Sequence, residues 1–131
     1  MIENEKAKPT VAVVGQRGVG KTYILKQIAT RIKKVVVFPK IWKEWDELTN
    51  CVKRVGYRVI GRERFDARKY LTRHRGSCII FDDLSAAIRS TGTQSIIDLI
   101  SLSRHYGCQI IAAFPSPEII PKAVFNLLRD S

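Results

Sequence analysis

Four short runs of the chain are apolar at every position: Val11–Val14, Val35–Phe38, Cys78–Phe81 and Ile110–Phe114. Each holds four or five residues, is rich in β-branched types and is bounded by glycine, proline or charge. A strand with one face in water alternates between apolar and polar; a strand buried on both faces does not. These runs therefore predict strands of a parallel sheet covered by helices on both sides. Between them the period lengthens. Ile24, Leu25, Ile28 and Ile32 recur at helical spacing from Lys21 to Lys34, with Lys26, Lys33 and Lys34 elsewhere on the wheel. Ile96, Ile97, Leu99 and Ile100 mark another helix, which Tyr106-Gly107 ends. Tyr57–Ile60 reads as a weaker fifth strand, ahead of a helix over about Arg64–Arg73. Strand and helix alternate, so the expected class is α/β, a single three-layer domain with a mostly parallel sheet of about four or five strands. It is expected to span residues 10–131, after a flexible tail at 1–9.

Composition narrows this only a little. A chain of 131 residues is one domain in size and can bury a core without disulfide or metal staples. No apolar run approaches the roughly 20 residues of a membrane span. The polar opening Met1–Thr10 does not read as a secretory signal. Cys51, Cys78 and Cys108 form no C-x-x-C pair and make no recognised metal-ligand spacing with either histidine, so no zinc site is expected. Cys78 and Cys108 each open an apolar run and read as small buried hydrophobes, which suits a reducing, cytoplasmic location.

The first chemistry follows the first strand. Gly15-Gln16-Arg17-Gly18-Val19-Gly20-Lys21-Thr22 fits G-x-x-x-x-G-K-S/T without a mismatch. Glycines let such a loop bend so that successive backbone N–H groups point at an anion. The loop feeds a helix N-terminus, whose N–H groups and dipole also favour negative charge. Lys21 would reach the β- and γ-phosphates and Thr22 would place its hydroxyl on Mg²⁺. The residues expected around the nucleotide are these eight and Tyr23.

The third apolar run ends in Asp82-Asp83. A carboxylate at the end of a buried strand is costly unless hydrated, paired or near a cation. Asp82 thus reads as the Walker B acid holding Mg²⁺, and Asp83 is placed to orient or deprotonate an attacking water. Asp82-Asp83 capping a helix that starts at Leu84 is the plainer alternative, and the two jobs are compatible.

The stretch Ser103-Arg104-His105-Tyr106-Gly107-Cys108-Gln109 and the strand after it resemble the fourth-strand region of the FtsK–HerA superfamily of DNA-pumping ATPases, where an R-H-x-G segment precedes the strand. The ending Phe114-Pro115 is similar to the Thr-Pro of the zonula occludens toxin-like branch, and Pro121 to Asn126 resembles the segment that follows. Many members end this strand on a polar γ-phosphate sensor; here Ser116 is the nearest hydroxyl. The resemblance covers most of the chain outside about residues 39–76. It implies a P-loop NTPase domain with a RecA-like sheet, in which Ile110–Phe114 lies between Val11–Val14 and Cys78–Phe81. It further implies ATP and Mg²⁺ as cofactors and a homo-oligomer, in the hexameric case a ring. Arg104 precedes its strand, so it starts at the opposite end from its own phosphate site. It would serve a neighbouring subunit's γ-phosphate as an arginine finger, or else be a plain arginine complementing a helix C-terminus. His105 reads as a packing or capping residue.

Charge adds a partner. The chain carries 23 Lys+Arg against 12 Asp+Glu, a formal +11. Most of that excess falls in residues 51–76, where Lys53, Arg54, Arg58, Arg62, Arg64, Arg68, Lys69, Arg73 and Arg75 face only Glu63 and Asp66. Such clustering attracts polyanions by releasing condensed counterions. Arg58, Arg62, Arg64, Arg68, Lys69, Arg73 and Arg75 are the expected DNA-binding residues, and few stacking aromatics accompany them, so backbone contact without sequence specificity is expected. An anionic membrane, a capsid or assembly partner, and a merely solvated basic face are the alternatives. Trp42 and Trp45 sit three apart on a short helix and read as core, or as a docking patch. The whole reads as an ATPase driving DNA packaging, extrusion or translocation in virus or mobile-element assembly, cytoplasmic or peripheral to an assembly site. A nucleotide-gated DNA-binding scaffold and a small-molecule kinase are its rivals.

Overall fold

A computed structural model describes residues 10–14, 20–61, 65–116 and 119–130, with the side chains of 11–14 and 130 left aside. The expected tail at 1–9 lies outside them. Strands β1 (Val11–Val14), β2 (Val35–Phe38), β3 (Val52–Arg54), β4 (Cys78–Phe81) and β5 (Gln109–Phe114) alternate with helices α1 (Lys21–Ala29), α2 (Ala67–Arg73), α3 (Leu84–Thr91), α4 (Thr93–Leu102) and α5 (Lys122–Asp130). Three 3-10 segments, Trp42–Leu48, Tyr57–Val59 and Ser103–Tyr106, complete the described chain. The five strands form one sheet in the order β1-β5-β4-β2-β3, every pair parallel. β5 thus lies between β1 and β4, as the resemblance implies. No helix among the described residues is long and apolar enough to cross a membrane.

The unbroken apolar runs are explained by two cores. Val36, Phe38, Ile79, Phe81, Ile110, Ala112 and Phe114 face one side, packing with Leu71 of α2, Leu84 and Ala87 of α3, Leu99 of α4 and Val124 of α5. Their neighbours Val35, Val37, Cys78, Ile80, Ile111 and Ala113 face the other side, against Leu25 and Ala29 of α1, Trp45 and Leu48. Alternation is present in direction and invisible in composition, because both faces are dry.

Three expected elements shift. The fifth strand is Val52–Arg54, not Tyr57–Ile60. Val52 is paired with Val35 and buried, whereas Lys53 is exposed at the sheet edge, so this strand has almost no apolar signature. Tyr57 instead enters a 3-10 turn and stacks on Phe38, centroids 6.3 Å apart and rings 8° from parallel. The second correction is at α1, which ends at Ala29 rather than Lys34. There the N–H groups of Arg31 and Ile32 bond the carbonyls of Ile28 and Ala29 three residues back, so a tighter turn carries Ile32 onto the core without continuing the helix. The third is α2, which begins at Ala67, where Asp66 caps it by accepting from the Lys69 N–H at 3.1 Å.

Other expectations hold. Gly107, at φ 68°, ends the Ser103–Tyr106 turn in the left-handed region and releases the chain into β5. Cys78 and Cys108 are buried, and Cys51 is exposed. Trp45 is core, while Trp42 is half exposed beneath the Arg54 guanidinium, 4.8 Å from its ring centre.

Candidate functional site

A parallel sheet brings the carboxyl ends of all its strands to one rim. Residues that follow four of the five strands line a single cleft there, of about 950 Å³. Gly20, Lys21, Thr22 and Tyr23 come from the start of α1, Lys40 and Glu44 follow β2, Asp82 and Asp83 follow β4, and Pro115 and Ile119 follow β5, with Arg89 added from α3. Of the glycine-rich motif, Gly15, Gln16, Arg17, Gly18 and Val19 lie outside the described residues. Gly20 sits at φ 83°, a left-handed conformation that L side chains resist, so glycine is required there. It opens α1 with no side-chain cap and no acid in the first turn, the arrangement that leaves a helix start to an anion.

The central contact links residues sixty apart. The Thr22 hydroxyl donates to Asp82 Oδ1 at 2.9 Å. Asp82 is 4% exposed, and its other oxygen accepts from the Trp45 indole N–H at 3.1 Å and the Lys40 backbone N–H at 3.3 Å. A buried carboxylate is stable only with such donors. They also fix the plane in which it meets Thr22, so one hydroxyl and one carboxylate oxygen face the cleft together. This hard oxygen pair suits Mg²⁺, which is bound by one or two protein oxygens and otherwise by phosphate and water.

Asp83 has a different setting. Its Oδ1 accepts from the Ser85 N–H and hydroxyl and from the Ala86 N–H, capping α3 as the plainer alternative foresees. Its Oδ2 lies 3.3 Å from Lys40 Nζ. Burial alone would push its pKa up, but the Ser85 and Ala86 hydrogen bonds and the Lys40 ammonium outweigh this and hold it below the usual aspartate range. The Tyr57 phenol donates to the Asp83 carbonyl at 3.4 Å; burial first, then the charges of Asp83 and Asp82, raise its pKa, so it stays a donor.

The remaining expected residues divide between the two rims. Arg104 is exposed on the Ser103–Tyr106 turn ahead of β5, at the amino rim, away from the cleft. Arg58 is exposed next to Tyr57 and so lies near the carboxyl rim; Arg62 and Arg64 are outside the described residues. Arg68 and Lys69 are exposed on α2, which must run back to the start of β4 and carries Arg73, and beyond it Arg75, to the amino rim. There Lys34 Nζ donates to the Arg75 carbonyl at 2.7 Å, and the Arg75 guanidinium lies 5.0 Å from the Tyr106 ring centre. His74 titrates below its ordinary 6.5 through burial first, then through Lys53, Lys34 and Arg73. The five described among the seven expected residues are therefore no single patch; those at the amino rim join Lys34, just ahead of β2, and Lys53 of β3.

Sequence reasoning missed Lys40, Glu44 and Arg89 at the cleft and the buried Trp45 behind Asp82. Lys40 carried a usable signal, since any residue just past a parallel strand sits at the binding rim. Trp45 carried none, because its bond to Asp82 spans 37 residues.

No family model matches the sequence, and no curated protein sequence does. Solved structures do resemble the fold. The DNA-packaging ATPase B204 from Sulfolobus Turreted Icosahedral Virus superposes with a TM-score of 0.59 at 16% identity, over 91% of this chain and 71% of that one. The genome packaging NTPase B204 from Sulfolobus turreted icosahedral virus 2, in complex with ATP-gammaS, gives a TM-score of 0.60 at 14% identity, over 92% of this chain and 71% of that one. The chain has the fold of a P-loop NTPase like B204.

Proposed function

We propose that this chain is a Mg²⁺-dependent ATPase that acts on DNA as a packaging, extrusion or translocation motor. The observation that carries the nucleotide half is the Thr22–Asp82 hydrogen bond, which joins the start of the helix after the glycine-rich motif to the end of β4. Lys21 would bind the β- and γ-phosphates, with Gly15–Tyr23 around them. Thr22 and Asp82 would hold Mg²⁺, which would supply positive charge to offset the charge developing on the phosphates. Trp45 and the Lys40 N–H keep Asp82 oriented for it. Asp83 would position the water.

The DNA half rests on two supports. One is the formal charge of +11 with its exposed arginines and lysines; the other is likeness of fold to a protein described as a DNA-packaging ATPase. Arg104 lies at the rim opposite its own cleft, so only another copy could bring it to a γ-phosphate. A ring of like subunits is the assembly that would do so. The Phe114-Pro115 ending supports a relation to the zonula occludens toxin-like branch.

A second reading, a nucleotide-gated DNA-binding scaffold with little turnover, is favoured by one observation. Asp83 has both oxygens engaged, one by the α3 cap and one by Lys40. Phosphate release from Mg-ATP, with and without DNA and over a range of protein concentrations, separates the two. Turnover that rises with DNA, steepens with protein concentration and disappears in Lys21→Ala supports the motor. Nucleotide binding without turnover under every condition supports the scaffold, and no nucleotide binding refutes both.

A further inference from the structure

Lys40 and Arg89 are the described cations that line the cleft from outside the nucleotide motif, and of the two Lys40 is paired with Asp83. It follows β2, its backbone N–H is tied to Asp82, and its side chain crosses to Asp83, with Nζ 3.3 Å from Oδ2. That side chain is 42% exposed, while the Asp83 side chain is 9% exposed, so the ammonium stands at the open side of a carboxylate fixed from behind by Ser85 and Ala86. Because one Asp82 carboxylate contacts both the Lys40 backbone and the Thr22 hydroxyl, Lys40 borders the place where the last phosphate of a nucleotide on Lys21 and Thr22 would sit.

We propose that Lys40 reads the γ-phosphate, leaving Asp83 for the nucleotide when a triphosphate occupies the cleft and returning to it when a diphosphate remains. This rests on the nucleotide reading given above. A half-exposed ion pair is weakly held, and a terminal phosphate offers more charge and more acceptors than one carboxylate oxygen. The long, flexible lysine stem permits the exchange without backbone movement, so Asp82 keeps its Lys40 N–H throughout. The exchange has a consequence for Asp83. Its Oδ1 stays in the α3 cap, but its Oδ2 is released to accept from a water beside the phosphate. Lys40 would thus be both the residue that distinguishes tri- from diphosphate and the one that keeps Asp83 covered until a triphosphate is present.

The test is equilibrium binding of Mg-ATPγS and Mg-ADP to wild type, Lys40→Met and Lys40→Arg, with thermal unfolding of each protein alone as the check on folding. Wild type is expected to prefer ATPγS. Lys40→Met should lose about tenfold in ATPγS affinity, the scale of one charge-assisted hydrogen bond, while ADP affinity stays within about twofold. Lys40→Arg should recover most of the preference. Equal losses for both nucleotides, or an unchanged preference in Lys40→Met, would overturn the role of Lys40 and leave the nucleotide reading standing. Wild-type protein that binds neither nucleotide would instead overturn the reading on which it rests.

Discussion

Trp45→Phe tests how Asp82 is held. Trp45 is fully buried, and its indole N–H donates to a carboxylate that is itself 4% exposed. Phenylalanine keeps the aromatic packing against Leu25, Val35 and Ile80 side of the sheet but removes the donor. Loss of a hydrogen bond to a charged acceptor costs about 1.5–3 kcal/mol. The space left by the smaller ring adds about 1 kcal/mol. The variant should therefore be destabilised by about 2.5–4 kcal/mol, which a domain with roughly 5–15 kcal/mol of stability survives. The hydrogen bond is isolated by a double-mutant cycle with Asp82→Ala, followed by urea unfolding under circular dichroism without nucleotide. If the bond exists, the double mutant loses about 1–3 kcal/mol less than the two single losses added together. Additivity within about 0.5 kcal/mol would refute the claim that Trp45 orients Asp82.

Other outcomes follow from individual residues. The Tyr70 hydroxyl is buried without a hydrogen-bond partner among the described residues, and burial pushes its pKa up to about 12. Tyr70→Phe should accordingly be neutral or stabilising by up to about 1 kcal/mol in thermal unfolding, and a clear loss would show a missed partner. His74 has a folded pKa below its ordinary 6.5, so the unfolded chain binds the extra proton. Its contribution to stability is full above about pH 6.5 and falls away as the pH drops toward the folded value; His74→Asn should flatten this slope in unfolding curves taken at pH 7.5 and 5.5. If the amino rim holds a nucleic-acid backbone, Arg73→Ala with Arg75→Ala should weaken DNA binding equally across sequences and lower the salt slope by about 2. An unchanged slope would exclude those two residues from the interface.

What the sequence could reveal depended on whether a feature was local. The β1, β2, β4 and β5 strands were readable because their residues are apolar at nearly every position, and in β2, β4 and β5 both faces are dry. The β3 strand was not, since an edge strand with one buried residue in three carries no pattern. The glycine-rich motif and Asp82 were readable because phosphate chemistry fixes residue types at fixed spacing. Asp83 was legible as a cap or as a catalyst, and only the positions of Ser85, Ala86 and Lys40 show how its oxygens are occupied. Lys40 and Trp45 needed the knowledge that β2 lies beside β4, which follows from the sheet order. The basic residues between 51 and 76 looked like one cluster because they are close in sequence. The α2 helix carries them from one rim toward the other.

The central claim is that a nucleotide's phosphates lie against the start of α1 beside Asp82. Titration of Mg-ATPγS into wild type and Lys21→Ala by calorimetry, with and without Mg²⁺, tests it most directly. The account predicts one site per chain, tighter with Mg²⁺ and weakened by about a hundredfold or more without the Lys21 ammonium. Equal affinity in Lys21→Ala and wild type would contradict it.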